Sequence, residues 1–134
     1  METLVKNATT VASIYDAFEK GDVPFIMSQL EKNVLWEVMG VKPNPIAGTY
    51  RGASNVPSFF LALANNYQLE NFQVQYIIDA DENTVIAKGY HEGSGLASHK
   101  PLKTHWAMEW KFNDEGKVTE FRNMYDTQAY ANAV

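Results

Sequence analysis

The chain has 134 residues, 46% of them hydrophobic and 13% aromatic, and a formal net charge of −5. That is the size of one domain with ample material for a core, which excludes intrinsic disorder. An acidic balance without any basic run argues against a nucleic-acid partner, and the absence of cysteine excludes disulfides, thiolate metal sites and cysteine nucleophiles.

No apolar stretch reaches the ~20 residues that span a bilayer, so no membrane partner is expected. Met1-Glu2-Thr3-Leu4-Val5-Lys6 lacks the basic-then-apolar order of a signal peptide. A soluble cytoplasmic protein is the expectation.

Ala8, Val11, Ala12, Tyr15 and Phe18 recur at the spacing of an amphipathic helix that ends at Gly21. Asp22 followed by Pro24 opens a second, short helix. Val34 to Met39 is a short apolar run of strand type. Gly40 to Gly52 holds three of the eight glycines and two of the five prolines, which predicts a loop. Val56, Phe59, Phe60 and Leu63 mark a third helix, with Ser54 as its N-cap. From Leu69 onward the period falls to two. Phe72 to Ile78 and Thr84 to Glu92 flank the turn Asp81-Glu82-Asn83; Thr104 to Phe112 and Lys117 to Asp126 flank Asn113-Asp114-Glu115-Gly116. Helices first and an antiparallel meander afterwards define a single α+β domain over 1–134.

The terminal hairpin carries the clearest pattern. Trp106, Met108, Trp110 and Phe112 share one face of their strand, and Phe121, Asn123 and Tyr125 share a face of the next. A wall of rings with one amide set into it suits a pocket for a small apolar or aromatic ligand. It also suits a plain aromatic core. Trp36, Tyr50 and Phe60 carry the same two readings, because Trp and Tyr have polar edges that favour cavities over full burial.

This order of elements resembles the SnoaL-like polyketide cyclase group of the nuclear-transport-factor-2-like superfamily. The residues that carry the likeness are Leu35-Trp36-Glu37-Val38, Gly48-Thr49-Tyr50-Arg51-Gly52, Val56 with Phe59-Phe60, Trp106 to Phe112, Asp114-Glu115-Gly116-Lys117-Val118 and Tyr125-Asp126-Thr127. The resemblance covers nearly the whole chain. It implies a ketosteroid-isomerase-like, cystatin-like roll, in which N-terminal helices close a cone-shaped, curved antiparallel sheet over a cavity. It further implies a homodimer through the convex sheet face. It is specific for fold and weak for activity, because this fold hosts enzymes, binding modules and dimerisation domains alike.

Characterised enzymes of the fold move protons on small, largely apolar molecules without a metal or organic cofactor. Such work needs a base of shifted pKa and donors for a developing oxyanion in a dry cavity. On a gap-free placement over the Gly40 segment, Glu37 falls where ketosteroid isomerase has its base. The two oxyanion donors of that enzyme fall on Ile14 and Met108, and Tyr15, one step along the helix, is expected to point about 100° elsewhere. Ketosteroid isomerisation itself is therefore not expected.

Four polar candidates each have a functional and a structural reading. Glu37 is either a base in an apolar cavity or a solvent-facing residue on a strand that buries Val34, Trp36 and Val38. His91 shares a face with Val85, Ala87 and Gly89; it is either an acid/base group near neutral pH, or a residue that merely satisfies a hydrogen bond, or exposed where its strand runs out. Asp126 is either a catalytic acid or, the better reading, the N-cap of a helical stretch from Thr127. Tyr125 and Asn123 either orient a ligand oxygen or form a buried, internally satisfied pair. His91, His99 and His105 lack any tight ligand spacing, so no metal site is expected.

The resulting expectation is a cofactor-independent isomerase, cyclase or dehydratase acting on a small cyclic or carbonyl compound. His91 and Glu37 would carry protons, with Tyr125 and Asn123 positioning. Trp36, Tyr50, Phe60, Trp106, Met108, Trp110 and Phe121 would form the walls. The alternative is a non-catalytic module that binds a hydrophobic ligand or only dimerises.

Overall fold

The computed structural model describes residues 2–134, with side chains from residue 6 onward. Helix α1 (Glu2–Glu19) turns Val11, Ile14 and Ala17 onto the sheet. Its apolar stripe is wide, as expected of a helix laid on a core. Asp22 caps α2 (Val23–Ser28): its Oδ1 accepts from the Phe25 amide at 3.1 Å, and Pro24 sits in the first turn. Strand β1 (Leu30–Val38) follows, then β2 (Gly48–Arg51). Residues Ala53–Asn55 form a 3-10 turn into α3 (Val56–Asn66). Ser54 lies within that turn and does not cap the helix. The remaining elements are β3 (Tyr67–Asp81), β4 (Thr84–Gly95), β5 (Pro101–Phe112), β6 (Val118–Tyr125) and α4 (Thr127–Ala133).

The six strands make one curved, unclosed sheet in the order β2-β1-β6-β5-β4-β3. The expected meander is present, from β3 to β6, and is antiparallel throughout. The sheet also holds a parallel pair, β1 with β6, and an edge strand, β2, inside the segment read as loop. β2 is four residues long and mostly exposed, so it has no apolar alternation to announce it.

Register arranges the concave face in rows. Trp36, Phe121, Trp110 and Val85 lie side by side across four strands; Val38, Asn123, Met108 and Ala87 form the next row. Tyr125, Trp106 and Gly89 form a third, and Thr104 beside His91 a fourth. The first row is aromatic packing: the Trp36 and Phe121 ring centroids stack at 3.9 Å, and Phe121 meets Trp110 at 4.5 Å. The third row needs a residue without a side chain. A Cβ on Gly89 would lie 2.0 Å from the Gln73 carbonyl oxygen and 2.3 Å from the Trp106 ring. Gly89 is thus the notch that lets the Trp106 indole lie flat against β4.

Candidate functional site

Helices α1, α3 and α4 close the concave face over a cavity of about 60 Å³. Its wall is almost entirely apolar, and no carboxylate lines it among the described residues. Trp36, Phe60, Trp106, Met108, Trp110 and Phe121 contribute to it, as does Asn123. Tyr50 does not: it stands on the edge strand, its hydroxyl donates to the Ile46 carbonyl at 2.9 Å, and its ring packs edge-on against Phe59.

His91 is inside the cavity and only 3% exposed. The strand does not run out after it. β4 continues to Gly95, with Gly93 paired to Leu102 and Ser94 to Pro101. His91 Nε2 lies 2.8 Å from the Tyr130 hydroxyl, and Nδ1 lies 3.4 Å from the Glu92 carbonyl oxygen. Both contacts are served when Nδ1–H donates to Glu92 and Nε2 accepts the Tyr130 proton. Burial pushes the imidazole below its ordinary value of 6.5, against a smaller upward pull from the Glu92 carbonyl, so the neutral ring is favoured.

Tyr130 comes from α4, which Asp126 caps by accepting from the Ala129 amide at 3.0 Å. Asp126 thus serves the helix and does not line the cavity. A Cβ on Gly95 would lie 1.7 Å from the Ala133 carbonyl oxygen, so a glycine seats the end of α4 on β4. The Tyr67 hydroxyl donates to the Tyr130 carbonyl at 2.7 Å and pins the middle of the helix. Burial pushes the Tyr130 hydroxyl pKa up, and the nearby Tyr125 and Tyr67 add to this, so it stays protonated and acts as a donor.

Glu37 points the other way. Its carboxylate pairs with Arg122 Nε on the convex face, and Arg122 Nη1 also donates to Glu109 at 3.1 Å. Trp36 and Val38, its neighbours in sequence, take the buried side. The proposed carboxylate base is thus separated from the cavity by the sheet itself. The convex face also holds His105, whose ring lies 5.1 Å from that of Tyr90.

Tyr125 lines the cavity, but its hydroxyl is occupied. It donates to the Met39 carbonyl at 2.6 Å and accepts from Asn44 Nδ2 at 2.8 Å, tying down the loop between β1 and β2. Burial pushes its pKa up to about 12. Tyr15 lines the cavity together with Ile14. A 100° step does not take a large ring off so wide an apolar face. Its hydroxyl accepts from Trp110 Nε1 at 3.1 Å and donates to Met108 Sδ at 3.1 Å.

Tyr130, Tyr15 and Asn44 were not among the sequence candidates. Tyr15 lay on the periodic face of α1. For Tyr130 the available signal was its position four after a capping Asp126, with Ala133 three further, which defines one buried face of a short helix.

A curved sheet closed by helices over an apolar cavity defines the class, and comparison with known proteins agrees. The SnoaL-like domain family matches residues 11–121, and the chain belongs to that family. Among solved structures, it is similar to an NTF2-like protein of unknown function from Burkholderia pseudomallei. That match has 20% identity, covers 96% of this chain and 97% of that one, and has a TM-score of 0.86. An NTF2-like protein from Burkholderia thailandensis shares 28% identity over 95% of each chain, with a TM-score of 0.84. TerC, co-crystallised with polyporic acid, shares 20% over 96% of this chain and 97% of its own, with a TM-score of 0.83. No curated protein matches. No helix among the described residues is long and apolar enough to cross a membrane.

Proposed function

We propose that this chain is a cofactor-independent enzyme that moves a proton on a small, largely apolar, cyclic or carbonyl-bearing compound. It would be an isomerase, cyclase or dehydratase in type. The observation that carries the reading is the 2.8 Å contact between His91 Nε2 and the Tyr130 hydroxyl inside an apolar cavity. A neutral imidazole is a competent base, and a tyrosine held protonated by burial is a competent donor. When a carbonyl oxygen binds, it takes the Tyr130 hydrogen bond and frees the Nε2 lone pair. His91 then accepts the proton from the carbon beside the carbonyl, and the C–H electron pair becomes the enolate double bond. Tyr130 stabilises the developing oxyanion, and the imidazolium returns its proton to a different carbon. Tyr15 can contribute a second donor, because its present acceptor, the Met108 thioether, is a weak one. Asn123 is a positioning group; Glu37 and Asp126 take no part.

The test is deuterium incorporation beside the carbonyl of a panel of small cyclic ketones, followed by NMR. The unaltered chain should accelerate exchange, and His91→Ala should lose about 10²–10⁴-fold. Exchange no faster than buffer across the panel, or full activity in His91→Ala, would sink the assignment. One observation favours a second reading, a non-catalytic ligand-binding module: no carboxylate lines the cavity among the described residues. Saturable binding without exchange would establish it. The likeness to a protein co-crystallised with polyporic acid supports a cavity ligand under either reading.

A homodimer through the convex face belongs to the same proposal. Sedimentation at micromolar concentration should give twice the 15.1 kDa chain mass.

A further inference from the structure

Three buried side-chain atoms of residues that line the cavity have no hydrogen-bond partner among the described residues: Trp36 Nε1, Trp106 Nε1 and Asn123 Oδ1. Both tryptophans are 2% exposed and Asn123 is 7% exposed. Roughly 90% or more of buried polar groups are partnered, and leaving one without a partner destabilises the fold. The rest of the polar wall obeys that rule. Trp110 donates to Tyr15, Tyr125 is held by Met39 and Asn44, and His91 is held by Tyr130.

The orphans are also aligned. Asn123 sits opposite Val38 on β1 and Met108 on β5. Trp36 and Trp106 are therefore its diagonal neighbours, one toward the first aromatic row and one toward the row next to His91. Diagonal neighbours on a sheet stand about 7–8 Å apart, within reach of long side chains. By register the amide-bearing residue thus stands between two indole-bearing ones, with the Trp106 ring itself lying over Gly89 on β4, and indole N–H groups can only donate.

One ligand chemistry serves all three atoms. A hydroxyl can donate to Asn123 Oδ1 while its oxygen accepts from Trp36 Nε1, and a carbonyl oxygen can accept from Trp106 Nε1. We infer that the ligand of this cavity is a hydroxy-carbonyl compound, bound by its hydroxyl at Asn123 and Trp36 and by its carbonyl at Trp106. This inference rests on the proposed reaction site, because Trp106 is the orphan nearest His91 by register and the carbonyl is the group the base needs beside it. A ring-sized ligand needs more than the present volume of about 60 Å³; an apolar cavity that takes benzene measures ~150 Å³. Entry of such a ligand therefore requires the side chains of the wall to move apart.

The experiment is calorimetric titration of the full chain with para-hydroxyacetophenone, para-methylacetophenone and para-ethylphenol, at a pH below the phenols' ionisation. The first carries both groups at opposite ends of one ring; the other two each lack one. The hydroxy-ketone should bind about tenfold tighter than either analogue. Asn123→Leu should erase its advantage over the methyl ketone, and Trp106→Phe its advantage over the ethylphenol. Equal affinity of the three probes for the unaltered chain, or no binding by any of them, would overturn the inference without recourse to a variant. Deuterium exchange into the acetyl methyl group of the same ketones separates the two proposals. If exchange fails while the preference holds, only the proton-transfer reading is lost. If exchange holds without the preference, only this inference is lost.

Discussion

The two faces of one sheet divide the molecule's chemistry. On β5 and β6 the concave side carries Trp106, Met108, Trp110, Phe121, Asn123 and Tyr125, and the convex side carries Glu109, Lys111, Glu120 and Arg122. β1 repeats the division, with Trp36 and Val38 inward and Glu37 outward. Among the described residues no formal charge lines the cavity, and what can ionise there is histidine and tyrosine. Burial holds both neutral: the imidazole is pushed down and the phenols are pushed up. The proposed proton chemistry would have to run on neutral groups, and stability has to come from the same rings that line the cavity.

That division sets the order of expected effects. Trp36→Ala, which removes the ring stacked on Phe121, should cost about 3–5 kcal/mol in urea unfolding. A loss below ~1 kcal/mol would mean that the first aromatic row is not where the fold is held. Tyr125→Phe is next. It keeps the ring but releases the Met39 carbonyl and the buried Asn44 amide, at about 1–3 kcal/mol. Hydrogen exchange should speed up first in residues 39–47; uniform acceleration across the sheet would show that Tyr125 is core and not a clasp.

How much of this was legible in the sequence depended on how local the signal was. Alternation alone put Trp106, Met108, Trp110, Phe121 and Asn123 on the inner face, because side-chain parity along a strand needs no tertiary information. Glu37 could not be read that way. Leu35 and Met39 are apolar too, so the outward parity of β1 is masked, and the Arg122 that receives Glu37 lies 85 residues away. The His91–Tyr130 pair spans 39 residues and depends on where a seven-residue helix docks. The parallel pairing of β1 with β6 is equally non-local. Periodicity had put Tyr15 on the buried face of α1, and only the gap-free placement on a distant enzyme argued it away. Residue-level geometry was the better guide there.

The inner face can also be tested by pH. The folded pKa of His91 lies below its ordinary 6.5, so above that value both folded and unfolded chains hold it neutral. As pH falls through 6.5, the unfolded chain takes up a proton that the folded chain refuses, and stability is lost progressively toward the folded pKa. The urea midpoint should therefore drop between about pH 7.5 and about pH 5.5, and His91→Gln should flatten that drop. An NMR titration placing His91 at or above its ordinary value would show that water reaches the ring, and the dry-cavity argument would go with it.

The smallest expected effect is the most discriminating between the faces. Glu37→Gln removes a carboxylate from an ion pair whose side chains keep 31% and 39% of their exposure, and Arg122 retains Glu109. Exposed pairs are worth roughly 0.2–1 kcal/mol and weaken with salt, so the loss should be slight and should shrink further in high salt. Ketone exchange and probe affinity should not change, because the sheet stands between this carboxylate and the cavity. If Glu37→Gln instead abolished exchange while the chain stayed folded, charge on the convex face would have to reach the reaction. The separation of the two faces, on which the roles of His91 and Tyr130 depend, would then fail.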